Sequence, residues 1–423
     1  MTDHPVGGAV PAPAAGAARP AAKKRILFVD DEPLVLEGLR SMLWQRRRQW
    51  EMVFAVGSEA ALQEVQSAHF DVMVTDLRMP KTDGAALLAL VHEMRPGIAR
   101  IVLSGEEREE SALRALAVTH QFLAKPCDAA LLESTIERAC GIQALIGDPK
   151  VRALVGQVGA LPSRPEAYST LARKLAGDDI SVTEVAAVLE QDMAMCAKIL
   201  QIANSAFFAL PRRVTRIEEA VSGLGFRVIR DLSLSASVFR TGHEPRGIGL
   251  ESLQAHAVLV GGIARRVVKD RKLADDAFVA GMLHDVGILI LASQAPERFD
   301  ELAHSLRAKP GLLHVREEEM FGVTHAQLGA YLLGLWGLPY SVMEAVAHHH
   351  GPSAVPQQGL DLLACVHIAD ALAQEVTGFD CEVPGALTTP IDVAYLEALG
   401  VIDSLEEWRD MVRASVSDMR EAA

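Results

Sequence analysis

The chain has 423 residues and a mass of 45.5 kDa, which is more than one typical core accommodates, so two or three domains are predicted. Half of the residues are hydrophobic and only 5% are aromatic, a composition that excludes a disordered or fibrous chain. The net charge of -14 disfavours nucleic acid as a ligand, because an acidic surface and a phosphate backbone repel each other. We therefore predict no DNA partner.

The five cysteines are scattered and form no C-x-x-C pair, which indicates a reducing, cytoplasmic compartment and no structural zinc. No uncharged apolar run reaches the roughly 18 residues that a membrane span needs, so no membrane partner is predicted. Residues 1–24 are rich in Ala, Pro and Gly, and their basic residues follow the apolar part, the reverse of a secretory signal. We interpret them as a disordered tail.

Residues 25–147 alternate short β-branched runs with helical patterns. The predicted strands are 26–29, 53–56, 72–75, 100–103 and 121–123, and the predicted helices between them include 34–44 and 58–67. This alternation is typical of a doubly wound α/β fold with a parallel five-stranded sheet. Such sheets bind their ligands at the carboxyl ends of the strands.

After residue 128 the strand pattern disappears and helical patterns continue almost to the C-terminus. Residues 131–146 are predicted to form the last helix of the first domain, extended as a stiff connector toward Asp148 and Pro149. Residues 148–380 are predicted to be a separate all-α domain, and 381–423 a C-terminal helical extension. The predicted helices of the second domain include 182–189, 194–203, 252–269, 277–291, 325–336, 340–350 and 362–377.

Polar residues follow four of the five predicted strands of the first domain. They are Asp30 and Asp31, Asp76, Ser104 and Lys125. Because these strand ends meet at one edge of a parallel sheet, three carboxylates, a hydroxyl and an ammonium group should converge. Clustered carboxylates need a divalent cation, and oxygen ligands suit Mg²⁺. One carboxylate can then attack phosphorus, while the hydroxyl and the ammonium group hold the phosphoryl oxygens.

Each of these residues taken singly also has a purely structural interpretation. Asp31 can cap a helix that has Pro33 in its first turn, Asp76 can be a turn residue, and Lys125 can be solvated. The position of all of them at strand ends, in the right order, favours the site.

Four segments around these residues resemble the motifs of response-regulator receiver domains over about residues 24–146: 29–33, 74–80, 103–105 and 122–126. The resemblance implies a flavodoxin-like fold and a sensor histidine kinase as partner. It implies that Asp76 accepts the phosphoryl group. It further implies Mg²⁺ bound by Asp30, Asp31, Asp76 and the carbonyl of Arg78, with Ser104, Phe122 and Lys125 as the switch and phosphate-binding residues.

The helical half carries histidines at positions that call for an explanation. His284 and Asp285 lie together in an apolar helix, where a lone histidine is usually a satisfied core residue. A capping box of Thr324 and Gln327 places His325 in a first helical turn. Residues 348–350 are three histidines that close a helix, where the helix dipole favours imidazolium.

The order of these residues resembles the ligand order of HD-type metal-dependent phosphohydrolases. The segments 194–208, 217–230, 318–339 and 349–352 more specifically resemble the HDOD domain, over about residues 150–375. The resemblance implies a site for a transition metal (Mn, Fe or Zn) formed by His256, His284, Asp285, His325, His349, His350 and Asp370.

HDOD domains are regarded as catalytically lost relatives of HD hydrolases that act in signalling, which implies protein partners. The sequence also lacks the lysine that HD-GYP phosphodiesterases place after the His-Asp pair, and it lacks their Gly-Tyr-Pro signature. The leading hypothesis is a response regulator in which phosphorylation controls the helical domain, with a homodimer contact as one means of control. The alternative is a receiver-gated phosphodiesterase acting on cyclic di-GMP or a related nucleotide. No catalytic residue is assigned.

Overall fold

The alternating pattern of the first third of the chain folds into a five-stranded parallel sheet with the strand order β2-β1-β3-β4-β5. The computed structural model describes residues 23–79, 83–105, 115, 118–145, 149–159, 161–175, 177, 180–205, 213–234, 247–356, 359–377, 383–387 and 389–422. The strands are β1 (Lys24–Asp30), β2 (Trp50–Val56), β3 (Val72–Asp76), β4 (Ala99–Ser104) and β5 (Gln121–Ala124). The prediction of a doubly wound, flavodoxin-like domain is confirmed.

Helices cover the sheet because its central strands are apolar on both faces. They are α1 (Pro33–Met42), α2 (Gly57–Ser67), α3 (Gly84–Met94) and α4 (Ala129–Leu145), with a 3₁₀ helix at Trp44–Arg48. The predicted tail of residues 1–24 lies outside the described residues up to position 22.

The rest of the chain is mostly helical, as predicted, and we call its described residues from 149 to 422 the helical domain. Its helices are α5 (Pro149–Gly156), α6 (Pro165–Leu175), α7 (Val182–Leu189), α8 (Met193–Ala203), α9 (Ile217–Leu234), α10 (Leu250–Val267), α11 (Ala274–Leu283), α12 (Val286–Gln294), α13 (Pro296–Ala308), α14 (Leu313–Phe321), α15 (His325–Leu335), α16 (Tyr340–His348), α17 (Leu362–Thr377), α18 (Val393–Ala398) and α19 (Leu405–Ala422). Short 3₁₀ helices lie at Pro352–Ala354 and Ile402–Ser404. The sequence pattern did not predict one feature: β6 (Gly311–Leu312) pairs in parallel with β7 (Ala386–Leu387).

The predicted single helix over residues 277–291 is wrong, because α11 ends at Leu283 and α12 begins at Val286. His284 and Asp285 form the turn between them. On an unbroken helix, successive side chains diverge by about 100°. The break instead allows both side chains to face the same site. Gly287 allows α12 to pack closely against α15, since a Cβ there would lie 1.9 Å from the carbonyl oxygen of His325.

Among the described residues, one stretch is long and apolar enough to cross a membrane by length and composition. It is Ala274–Gln294, and 89% of its apolar window is buried inside the protein. A core helix pair passes the same test, so this stretch is weak evidence for a span.

The N-terminal domain packs directly on the helical domain through the β4–β5 side of its sheet. The buried guanidinium of Arg100 donates to the carbonyls of Pro96 and Val118 and, across the junction, to that of Gly156 at 2.9 Å. The side-chain amide of Gln201 donates to the carbonyl of Thr119 at 3.1 Å. Buried hydrogen bonds that join the two domains favour one docking geometry.

Two histidines beside this junction make the stability of the protein depend on pH. Burial lowers the pKa of His92 to about 4, and burial together with the charge of Arg100 holds the pKa of His120 well below 6.5. In the unfolded chain both rings titrate near 6.5, so the unfolded state binds more protons below that pH and the folded state loses stability. We expect the thermal unfolding midpoint to fall as the pH is lowered from 6.5 toward 4.

The His92→Gln variant, which cannot take up that proton, should show a shallower fall than the native protein. The control is His304→Gln, because the His304 side chain is 67% exposed. Equal slopes for the native protein and the His92→Gln variant would contradict this prediction.

Candidate functional site

The first site lies at the carboxyl edge of the parallel sheet, where β1 and β3 end in Asp30 and Asp76. Oxygens of Asp30, Asp31 and Asp76 lie within 4.8 Å of one another. The ammonium group of Lys125, directly after β5, lies 3.0 Å from Asp30 Oδ2 and 3.1 Å from Asp76 Oδ1. We call these four residues the acidic site. One ammonium group thus offsets part of the charge of three carboxylates.

The backbone around Asp76 is fixed by close contacts. The amide of Leu77 donates to Asp76 Oδ1 at 2.9 Å, and the amide of Gly84 donates to the carbonyl of Leu77 at 2.8 Å. A Cβ on Gly84 would lie 2.3 Å from the carbonyl oxygen of Asp76, so only glycine fits there. Arg78 lines the same open pocket as Asp31 and Asp76. The Asp76 carboxylate is therefore held in one orientation, in the same pocket as the predicted ligand residue Arg78.

Charges and burial act in opposite directions on this site. Burial raises the pKa of Asp76, and Lys125 partly offsets that rise. Burial would lower the pKa of Lys125, but hydrogen bonding to Asp30 and the charge of Asp76 raise it overall. Lys125 therefore remains an ammonium group, which favours the ionised, nucleophilic form of Asp76.

The predicted switch residues lie on the neighbouring strands. Phe122 is 3% exposed and pairs with Val102 on β4. Ser104 ends β4 and pairs with Ala124, and its side chain is outside the described part of the structure.

The second site brings together all seven HD-type residues predicted from the sequence, and we call it the histidine cluster. Its members are 0–4% exposed, except for the half-buried His350. They come from the end of α16, the starts of α12 and α15, and the interiors of α10 and α17. The cluster consists of His256, His284, Asp285, His325, His349, His350 and Asp370.

Asp285 is the centre of the cluster. Its oxygens lie 3.1 Å from Nε2 of His284, 3.1 Å from Nε2 of His325 and 3.6 Å from Nε2 of His349. Burial alone would raise its pKa, but the charge and hydrogen bond of His284 and the bonds from the other two histidines hold the pKa well below 3.8. Asp285 is thus a carboxylate surrounded by imidazoles.

On the other side, Asp370 Oδ1 lies 3.1 Å from Nε2 of His256. These contacts lower the pKa of Asp370 despite its burial. The imidazolium form that the helix dipole would favour at this helix end is disfavoured at His349 and His350, since burial lowers the pKa of both.

The donor set of the histidine cluster fits a transition metal. The Nε2 atoms of His284 and His349 are buried and make no aligned hydrogen bond, although carboxylate oxygens are near. Their Nδ1 atoms are held by the carbonyls of Gly281 and Val346, at 2.6 and 2.8 Å. Such backbone partners fix each ring with the opposite nitrogen facing the site, as in known metal centres. Imidazole and carboxylate ligands suit Zn²⁺, Mn²⁺ or Fe.

Sequence reasoning missed Glu317, which holds His325 in place. The Glu317 side chain is 0% exposed, and its Oε2 accepts from both the backbone amide and Nδ1 of His325, at 2.8 and 2.7 Å. It lies within the run Arg316–Glu319, which has the composition of a solvated face. The pattern that could have revealed Glu317 is helical periodicity. Leu313, Glu317 and Phe321 occur every four residues and form one buried face of α14.

Loss of this partner should weaken metal binding. In the Glu317→Gln variant, His325 loses the charge that orients it, and we expect metal affinity to fall about 10- to 100-fold. The measurement is competition against a chromophoric chelator, and Glu318→Gln on the same helix is the matched control. Equal metal affinity in the two variants would contradict a positioning role for Glu317.

His367 also lies beside the cluster, although it contributes no ligand atom. Its Nδ1 donates to the carbonyl of His349 at 2.8 Å, and its Nε2 accepts from the amide of Asp392 at 2.9 Å. The predicted C-terminal extension is therefore packed against the site, and Thr389 Oγ1 contacts Nδ1 of His350 at 2.8 Å.

A cavity of about 370 Å³ opens beside His350 and His314. Its lining includes the carboxylate of Glu344 and, among the described residues, neither lysine nor arginine. Ile288, in the segment where HD-GYP enzymes carry their lysine, is 1% exposed and belongs to the core. A phosphate in this cavity would meet the histidine cluster without a neighbouring ammonium or guanidinium group.

Comparison with known proteins agrees with the two-domain organisation. The family model of the response regulator receiver domain matches residues 26–137, and that of the HDOD domain matches residues 161–352. An uncharacterized protein of Treponema pallidum is 25% identical over 230 residues, which are 53% of this chain and 44% of that protein. The transcriptional regulatory protein ZraR of Salmonella typhimurium is 30% identical over 141 residues, 33% of this chain and 32% of ZraR. The chain thus spans less than half the length of these curated relatives.

Similar solved structures include the MmoQ response regulator from Methylococcus capsulatus, with a TM-score of 0.46 and 23% identity over 59% of this chain and 98% of that one. Another is the signal receiver domain of an HD domain-containing protein from Pseudomonas fluorescens, with a TM-score of 0.28 and 27% identity over 29% of this chain and 98% of that one. By its two matched domains, the chain belongs to the two-component response regulators that join a receiver domain to an HDOD output domain.

Proposed function

We propose that a cytoplasmic histidine kinase phosphorylates Asp76, and that this modification controls how the HDOD domain engages protein partners. The observation that supports the proposal best is the position of Lys125 Nζ, about 3 Å from both Asp30 and Asp76. Asp30, Asp31, Asp76 and the carbonyl of Arg78 would hold Mg²⁺, which supplies charge neutralisation at the phosphoryl oxygens. An oxygen of Asp76 forms the new bond to phosphorus while the bond between phosphorus and the donor nitrogen breaks.

The ammonium group of Lys125 offers its donors to the phosphoryl oxygens once Asp76 is modified. It then leaves its present pairing with the two carboxylates. This change of partner is the local event that a conformational response requires, because it stabilises one arrangement of the chain over another.

A phosphoryl analogue tests this response in solution. Beryllofluoride with Mg²⁺ should change the small-angle scattering profile, the sedimentation coefficient, or both, as the docking of the domains or a homodimer contact changes. Profiles that superimpose in the two states at several concentrations would contradict control of the helical domain by phosphorylation.

A second candidate function is supported by the histidine cluster itself. We infer that it binds a transition metal. The buried Nε2 atoms of His284 and His349, which approach carboxylate oxygens without an aligned hydrogen bond, favour this over a core of satisfied histidines. A bound metal would supply an activated water to a phosphodiester such as cyclic di-GMP or a related nucleotide. The lack of lysine and arginine in the described lining of the cavity favours binding and signalling over turnover.

Elemental analysis followed by a nucleotide-hydrolysis screen distinguishes these possibilities. We expect stoichiometric metal and no turnover of cyclic di-GMP. Turnover that is lost after chelation and restored by metal would establish the phosphodiesterase instead. Absence of metal after growth with metal supplement would exclude both a metal-binding role and a metal-dependent phosphodiesterase.

A further inference from the structure

One short strand connects the acidic site to the helical domain. β5 has four residues, and Lys125 of the acidic site follows it directly. At the start of β5, the side-chain amide of Gln121 donates to the carbonyl of Leu335, across the junction, at 3.1 Å. A shift of Lys125 along the strand direction would therefore displace Gln121 and the hydrogen bond that it donates to Leu335.

Leu335 is the last residue of α15, and His325 of the histidine cluster is the first. Ten helical steps of about 1.5 Å place the two ends roughly 15 Å apart. All residues of α15 except Gln327 are buried, so the helix is enclosed along its whole length. A helix packed in this way moves as a rigid unit.

The receiver domain also contacts the C-terminal half of α15 through α4. A Cβ on Gly334 would lie 2.6 Å from Cδ1 of Ile142, and Tyr331 lies beside Gln143. The amide of Gln143 in turn donates to the carbonyls of Asp71 and Gly97, at 2.8 and 3.2 Å. At these contacts α15 packs directly on α4, and α4 is hydrogen-bonded to the backbone next to the receiver sheet. A displacement of the sheet would therefore be passed to α15 with little loss.

We propose that α15 couples the two sites, so that phosphorylation of Asp76 weakens metal binding at the histidine cluster. The direction follows from the structure, in which the cluster is assembled while Lys125 pairs with Asp76. The proposal rests on the metal site inferred above. Because coupling between two binding equilibria is reciprocal, bound metal should weaken beryllofluoride binding by the same factor.

The experiment measures Zn²⁺ affinity of the full chain by chelator competition, with saturating Mg²⁺, in the presence and absence of beryllofluoride. We expect beryllofluoride to weaken Zn²⁺ binding about fivefold or more, the lower end of typical allosteric coupling. The Gln121→Ala variant should bind both ligands with the coupling reduced toward onefold. Gln66→Ala, on the exposed face of α2, is the matched control and should retain the coupling.

The possible failures are distinguishable. Absence of Zn²⁺ binding in either state would overturn the metal site. Unchanged or tighter Zn²⁺ binding with beryllofluoride would overturn the coupling alone. Hydrogen exchange of the α15 amides in metal-free protein tests the same link without metal. Unaltered protection of α15 on addition of beryllofluoride would also overturn the coupling.

Discussion

The Asp76→Asn variant is expected to incorporate no phosphoryl group from acetyl phosphate, whereas the native protein is modified once per chain in the presence of Mg²⁺. The amide has no anionic oxygen to attack phosphorus, and it removes one charge from the set that holds the cation. Lys125, which now lies 3.1 Å from Asp76 Oδ1, would lose one of its two carboxylate partners. Intact-protein mass spectrometry measures the added group directly.

The matched control for this experiment is Asp83→Asn. Asp83 lines the same pocket, and its side chain caps α3 by accepting from the amide of Ala85 at 3.2 Å. Asparagine serves equally well as a helix cap, so the fold is retained. Incorporation that persists in Asp76→Asn at the native level would show that the acceptor lies elsewhere. Equal loss in Asp83→Asn would show that the loss is not specific to Asp76.

The Asp285→Asn variant is expected to lose its metal entirely. Asp285 is the carboxylate that faces His284, His325 and His349 at once, whereas Asp370 approaches His256 and His284 from the other side. The loss should exceed the about 10- to 100-fold expected for Glu317→Gln, since a ligand is removed instead of its orienting partner. Elemental analysis after growth with metal supplement provides the measurement.

For this variant the control is Asp392→Asn, because the Asp392 side chain caps α18 and its backbone amide, which the substitution keeps, is the group that donates to His367. Circular dichroism of both variants separates metal loss from unfolding. If folded Asp285→Asn retains metal at the native stoichiometry, Asp285 is not a ligand and the histidines around it are core residues.

The sequence was sufficient to predict the receiver fold and the meeting of three carboxylates and Lys125 at one edge of its sheet, because both depend on local patterns. Each strand of that sheet is a short apolar run, and the strand order of a doubly wound sheet brings the following polar residues to one edge. The position of Asp76 relative to Lys125 is thus a consequence of topology. The capping box of Thr324 and Gln327 predicted the start of α15 for the same reason, and the structure shows both of its hydrogen bonds.

Other features depend on contacts between distant segments and could not be predicted from local patterns. Apolar residues continue on both sides of His284 and Asp285, so no local pattern marks the break between α11 and α12. Glu317 lies in the charged run 316–319, whose composition is that of a solvent-exposed face. The pairing of β6 with β7 joins segments more than seventy residues apart through two residues each, too few to show a period.

The bonding of Arg100 has a consequence for how such proteins can be recombined. Its guanidinium is satisfied partly by its own domain and partly by the carbonyl of Gly156, and a Cβ on Gly156 would lie 1.9 Å from the carbonyl oxygen of Pro96. A foreign receiver joined at residues 145–149 would have to supply the same donor and leave the same space. Otherwise the carbonyl of Gly156 would be buried at the junction without its hydrogen-bond donor. This receiver is therefore not an interchangeable module, and chimaeras will need the whole junction transplanted with it.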